Sequence, residues 1–146
     1  MPYDFRGEFV VPKPPEAVFD FLADPGRFCP LLPDFQRLAA VDATHFTVEL
    51  KVGVAHIRGT ATMKMTLEEA ERPQRARYSG QGSVAGGTVT TSSGFELQAV
   101  DGGTRVLWQG SAQVFGQLAS LAGGLLEPLA RKNVQRLMDS LQAALR

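Results

Sequence analysis

Apolar and polar residues alternate with a period of two through the middle of this chain and with a helical period at its end. From His45 to Val52, Phe46, Val48, Leu50 and Val52 share one parity, and His45, Thr47, Glu49 and Lys51 the other. From Ile57 to Glu68 the inward set is Ile57, Gly59, Ala61, Met63, Met65 and Leu67, set against Arg58, Thr60, Thr62, Lys64, Thr66 and Glu68. Successive side chains of a strand point to opposite faces, so the pattern predicts an antiparallel sheet with one wet face. Further strands are predicted at Arg75–Ser83, Gly87–Ala99 and Thr104–Val114, separated by turns containing Arg72-Pro73 and Asp101-Gly102-Gly103. An Asp-Gly pair between alternating runs signals a hairpin. Phe5 to Val11 reads as an opening strand, ended by Pro12, Pro14 and Pro15 because proline cannot continue a ladder.

Three stretches break the strand rhythm. Pro15 to Leu22 fits a short helix with an early proline, Glu16 in the first turn and Val18, Phe19, Phe21 and Leu22 as its apolar face. Asp24-Pro25-Gly26 ends it. Arg27 to Phe35 has room for a helical turn or two between prolines, yet carries Phe28, Leu31, Leu32 and Phe35, which suggests a lid or cavity wall. Gln117 to Arg146 reads as one long helix with two apolar sets: Leu118, Leu121, Ala122, Leu125 and Leu129, then Val134, Leu137, Met138, Leu141 and Leu145. At about 100° per residue the second stripe is rotated away from the first. With Pro128 near the joint, the expectation is a helix that bends and changes faces over a curved sheet.

The inward faces are uneven. Trp108 is followed on its parity by Gly110 and Ala112, the preceding strand offers Val89, Thr91, Ser93, Phe95, Leu97 and Ala99, and Gly80 and Gly82 share a face with Tyr78. Native cores fill their volume to near crystal density. Small inward residues opposite a helix bearing Gly123-Gly124 therefore imply either close helix–sheet approach or an unfilled cavity.

Composition narrows the function. A chain of 146 residues reads as one domain spanning 1–146, large enough to bury a core. Net charge is zero, with 15 basic and 15 acidic residues, which argues against nucleic-acid binding. Cys29 is the one cysteine, so no intrachain disulfide forms and a reducing, cytoplasmic setting is expected. No secretory signal or run of about 20 apolar residues is evident. His45 and His56 fall on the wet parity, and no spaced His/Cys/carboxylate cluster points to a metal. Gly80-Gln81-Gly82 and Gly86-Gly87 open no helix and read as strand and turn glycines, not phosphate cradles. Arg72, Arg75 and Arg77 form a small basic cluster, read as a solvated edge or as a contact to anionic lipid or an acidic partner.

Strands in series with segregated helices argue an α+β fold, and at this point a family resemblance enters. The chain resembles the helix-grip fold of the START-related (SRPBCC, Bet v 1-like) superfamily: a curved antiparallel sheet of six to seven strands around a long C-terminal helix, with two short helices after the first strand. Within it, the sequence is similar to the CoxG-like family, named for a subunit of carbon monoxide dehydrogenase. The similarity is carried by Phe5-Arg6-Gly7-Glu8-Phe9 with Val11-Pro12, by Pro15-Glu16-Ala17-Val18-Phe19 leading into Leu22-Ala23-Asp24-Pro25, and by Gly103-Thr104-Arg105-Val106-Leu107-Trp108. Gly116-Gln117-Leu118-Ala119, Leu125-Leu126 and Ala130-Arg131-Lys132 continue it. Cys29-Pro30-Leu31-Leu32-Pro33-Asp34 stands where that family has an Ile-Pro-Gly turn, with Asp34 replacing the glycine. The resemblance implies a non-enzymatic role without a covalent cofactor: binding an apolar ligand such as a quinone, lipid or fatty acid. It also implies assistance to a molybdenum-containing dehydrogenase and peripheral contact with the inner face of the membrane.

Within that frame the expected ligand contacts are Phe28, Leu31 and Leu32 as lid, Met63, Met65, Tyr78, Phe95 and Trp108 as sheet floor, and Leu121 and Leu125 as helix wall. Two other classes compete. A cavity enzyme of the polyketide cyclase or hydratase type needs an acid or base poised inside. The inward faces offer only Tyr78, Thr91 and Ser93, with Gln109 or Gln113 if the register slips. A pure interaction domain would have a fully packed core.

Overall fold

The computed structural model describes residues 2–39, 41–54, 57–84 and 86–146. Seven strands form one antiparallel sheet: β1 (Pro2–Val11), β2 (Phe35–Ala39), β3 (His45–Val54), β4 (Ile57–Glu71), β5 (Arg75–Val84), β6 (Gly87–Val100) and β7 (Gly103–Gly116). Their order is β1-β7-β6-β5-β4-β3-β2, so β2 to β7 run as a meander and β1 returns to pair with the last strand. Helices α1 (Pro15–Leu22) and α2 (Pro25–Phe28) and a 3-10 turn (Cys29–Leu31) fill the connection from β1 to β2, and α3 (Gln117–Ala144) ends the chain.

The elements follow from local chemistry. Helix α1 starts behind Pro14 with Pro15 in its first turn and buries Val18, Phe19, Phe21 and Leu22, the face expected from the sequence. The Asp24 side chain accepts from the Gly26 amide and so starts α2. Gly102 has φ 78°, which permits the tight Asp101-Gly102 reversal between β6 and β7. Asp34 has φ 60°, the left-handed region that glycine enters freely and an L-residue enters at a cost. Its carbonyl accepts from the Lys51 amide at 2.9 Å and ties the turn to β3.

Strand β2 and helix α3 add detail to the expected architecture. Strand β2 does not stand out in the sequence because it is five residues long, lies at the sheet edge and carries a register shift between Phe35 and Arg37 against β3. In α3, Ala119, Leu126 and Leu129 pack with Tyr3, Ala61 and Val114, while Leu137, Met138, Leu141 and Leu145 join the group around Phe9 and Val106. At about 100° per residue the packed positions rotate by roughly a quarter turn between the two halves of the helix, and Leu125 is 51% exposed. The side chains of Leu118, Leu121 and Ala122, which complete the expected first face, lie outside the described residues.

The wet and dry faces are as the alternation predicts. Tyr3, Phe9 and Val11 of β1, Val106 and Val114 of β7, Phe95 and Leu97 of β6, Ala76 and Tyr78 of β5, Ala61 and Met63 of β4, and Phe46 and Val48 of β3 are buried on one side. Thr104, fully buried, donates from its hydroxyl to the Lys13 carbonyl at 2.6 Å and fixes the exit of β1.

Candidate functional site: a gap in the inner face

The buried apolar side chains form three packed groups. One, under α1 and the end of α3, holds Phe9, Val18, Phe19, Phe95, Val106 and Leu141. A second, beneath the first half of α3, holds Tyr3, Ala61 and Val114 with Phe5, Leu126 and Leu129 against them. A third, beside α2, holds Cys29, Phe46, Val48, Met63 and Tyr78.

Between them on the inner face runs a strip of small residues: Gly80, Thr91, Ser93, Gly110 and Ala112. Pairing places it in two rows across the inner face. Phe5–Gly110–Ser93–Tyr78 forms one, and Tyr3–Ala112–Thr91–Gly80–Met65 the other. All five small residues are only part-buried.

The glycines distinguish a packed surface from an open one. At Gly7 a methyl group would lie 2.6 Å from Cζ2 of Trp108, whose indole is laid across it. At Gly80 and Gly82 the thioether ends of Met65 and Met63 occupy the space. At Gly110 the nearest atom to such a methyl among the described residues is 3.9 Å away, on the neighbouring strand, so no described side chain is laid over it. Gly124 of α3 likewise meets nothing within 4 Å and is exposed.

Phe28 of α2 meets Tyr78 at 5.8 Å and Phe46 at 5.9 Å between ring centroids, and Phe46 and Tyr78 are themselves 5.9 Å apart. The Tyr78 hydroxyl donates to the Leu22 carbonyl at 3.0 Å, a helix-end acceptor that lacks an intrahelical partner. Burial raises the Tyr78 phenol above its ordinary value. Burial, aided by the Asp24 charge, pushes the Cys29 thiol up to about 12. Both groups thus stay protonated near neutral pH and serve packing.

The expected contact residues divide accordingly. Phe28, Leu32, Met63, Met65 and Tyr78 lie in or against the group beside α2, and Leu31, Phe95 and Trp108 in or against the group under α1. Phe95 also packs edge-on against Phe19 at 5.8 Å. Leu125 is half-exposed on α3, and the side chain of Leu121 lies outside the described residues. Gly110 and Ala112 form part of the floor, and only their small size in an otherwise bulky alternation marks them in the sequence.

Among the described residues no acidic, basic or histidine side chain is buried, and no group of three His, Cys, Asp or Glu could hold a metal. His45 is on the surface, 2.9 Å from the Thr44 hydroxyl, and His56 lies outside the described residues. Gln109 and Gln113 point outward, because the register of β7 does not slip. Arg72 pairs with Asp20 at 2.8 and 3.0 Å, Arg75 with Glu71 at 3.2 Å and Arg77 with Glu69 at 3.7 Å, so the basic cluster is matched by acids.

A hollow of about 530 Å3 opens mainly on the opposite, outer face, with Arg6, Glu8, Arg75, Arg77 and Glu96 at its rim and Leu107 and the expected contacts Phe95 and Trp108 also in its lining. Its ionised rim does not fit an apolar ligand, whose sites are lined mainly by hydrophobic and aromatic side chains. The inner gap has that lining.

The model of the CoxG family, a carbon monoxide dehydrogenase subunit, matches residues 7–146. Among solved structures, a conserved protein from Geobacillus kaustophilus superposes with a TM-score of 0.84 at 18% identity, covering 98% of this chain and 95% of that one. A protein from Thermus thermophilus gives 0.70 at 18% identity, covering 98% and 97%. An aromatase/cyclase from Streptomyces sp. R1128 gives 0.67 at 17% identity, covering 99% and 92%. No curated protein matches the sequence. At these identities the structural likenesses establish the fold, the helix-grip architecture expected above.

Proposed function

The chain belongs to the carbon monoxide dehydrogenase CoxG family, and from that premise we propose that it is a non-enzymatic carrier of an apolar small molecule. The observation that supports this reading is the strip of small residues on the dry face, where no described side chain covers Gly110 and where Ser93, Thr91 and Ala112 lie beside it between three apolar groups. Dense packing is the rule in protein interiors, and a part-exposed strip on the dry face of a sheet is where a ligand would complete it. A quinone, a lipid or a fatty acid has suitable chemistry. The lid would be Phe28, Leu31 and Leu32. The proposed partner is a molybdenum-containing dehydrogenase served by this carrier. Peripheral membrane contact belongs to the same proposal: Phe115 and Leu125 flank the start of α3 at 47% and 51% exposure and are suited to meet a bilayer. Among the described residues no helix is long and apolar enough to cross a membrane.

Native mass spectrometry with organic extraction tests the carrier directly. A co-purifying quinone or lipid near one-to-one is expected, together with its loss from a Gly110→Val variant that fills the space. An empty wild-type protein with no thermal shift from quinones or fatty acids would overturn the reading.

A further inference from the structure

The hydroxyl of Thr91 is sealed from solvent and has no hydrogen-bond partner. It is the one buried side-chain oxygen or nitrogen in that state among the described residues. Buried polar groups are almost always paired, because an unmade hydrogen bond costs the full desolvation of the group. An orphan in the middle of a ligand-facing surface therefore asks for a partner that arrives from outside the chain.

Its surroundings indicate how such a partner would enter. Thr91 pairs with Gly80 on one side and Ala112 on the other, and it shares the inner face with Ser93, which pairs with Gly110. A methyl group on Gly80 would lie 2.7 Å from the Thr91 hydroxyl oxygen, so the hydroxyl leans over the glycine notch. That notch is filled by the thioether end of Met65, whose Cε would be 2.9 Å from the same methyl. Methionine is unbranched, with three rotatable side-chain bonds, and changes position easily. Gly110, over which no described side chain is laid, lies one residue pair away.

Resting on the carrier reading, we infer that Thr91 is the hydrogen-bond donor that selects apolar ligands bearing a carbonyl oxygen, which enters the Gly80 notch when the Met65 thioether swings aside. Gly80, Ala112 and Gly110 carry no polar side chain, and Ser93, beside Gly110, is the other hydroxyl on this strip but is not an orphaned buried one. The hydroxyl supplies one donor. A hydrocarbon ligand would occupy the space without meeting it, and a carbonyl ligand would satisfy it.

The test compares menadione with 2-methylnaphthalene, which has the same carbon skeleton and no carbonyl, by isothermal titration calorimetry. The proteins are the wild type, Thr91→Val and Thr91→Ser. The wild type is expected to bind both compounds. Thr91→Val, which keeps shape and drops the hydroxyl, should lose about tenfold for menadione and less than about twofold for 2-methylnaphthalene. Thr91→Ser should retain menadione binding. Equal binding of menadione by wild type and Thr91→Val overturns the inference and leaves the carrier reading standing. Binding of neither compound by the wild type overturns both. A matching loss of both compounds in Thr91→Val makes the residue a packing element only, which also overturns the inference.

Discussion

Replacing Tyr78 by phenylalanine separates two roles that the structure gives this side chain. The residue is 7% exposed, its hydroxyl donates to the Leu22 carbonyl at 3.0 Å, and its ring meets Phe28 and Phe46. Tyr78→Phe keeps both ring contacts and deletes the hydroxyl. The loss is one buried hydrogen bond plus a helix-end carbonyl left without that donor, about 1.5 kcal/mol. Tyr78→Ala removes the ring as well and leaves a cavity among three aromatic positions, about 4 kcal/mol. For a chain of this size 1 kcal/mol moves Tm by about 3 °C, so Tyr78→Phe should melt about 5 °C early. Urea unfolding followed by fluorescence is direct, because Trp108 is the sole tryptophan and packs against the group beneath α1. Ligand binding should survive in Tyr78→Phe, since its hydroxyl is committed to α1. A loss as large as that of Tyr78→Ala, or no loss, refutes the hydrogen-bond account. Catalytic turnover that vanishes in Tyr78→Phe would revive the cyclase alternative.

Two further outcomes rest on single features. Asp34→Gly should raise the urea midpoint, because φ 60° suits glycine; relief of about 1 kcal/mol is partly offset by the greater freedom of glycine in the unfolded chain, for a net gain of about 0.5 kcal/mol. A destabilised Asp34→Gly would show that the aspartate side chain itself holds the turn. The Arg72 hydrogen bond holds the Asp20 carboxyl below its ordinary range. A lowered folded value means that the contribution is complete above the usual carboxylate pKa near ~4 and is lost as pH falls through the lower folded value. Urea midpoints of wild type and Asp20→Asn should therefore differ at pH 6 and converge as acid is added, and a gap unchanged at pH 2 would contradict the pairing.

Much of this molecule is legible from one sequence because local periodicity and turn chemistry act over a few residues. Alternation assigns the dry faces of β3 to β7, the prolines and glycines place the strand breaks, and helix α1 is readable to its ends. Strand β2 escapes because five residues with a register shift carry no usable period. The face of α3 is hidden for a different reason. Leucines at 118, 121, 125, 126 and 129 fan over an arc of roughly 140°, wider than one contact line, so periodicity alone does not say which of them is buried. The sheet makes that choice, accepting Leu126 and Leu129 and leaving Leu125 in solvent.

The candidate site divides in the same way. Composition along the strands reveals a dry face with too many small residues, which is a statement about volume that sequence can make. Whether a small residue is covered or open depends on which long side chain reaches over it from another strand, and no local rule contains that. Trp108 covers Gly7, Met65 covers Gly80, and among the described residues nothing covers Gly110. The sequence by itself determined the antiparallel strands with one dry face, the long last helix and the uneven lining, through periodicity that one chain segment carries alone. Only the tertiary structure decided which of the small residues are covered and left the buried Thr91 hydroxyl without a partner, because packing and hydrogen bonding are settled between residues far apart in the chain.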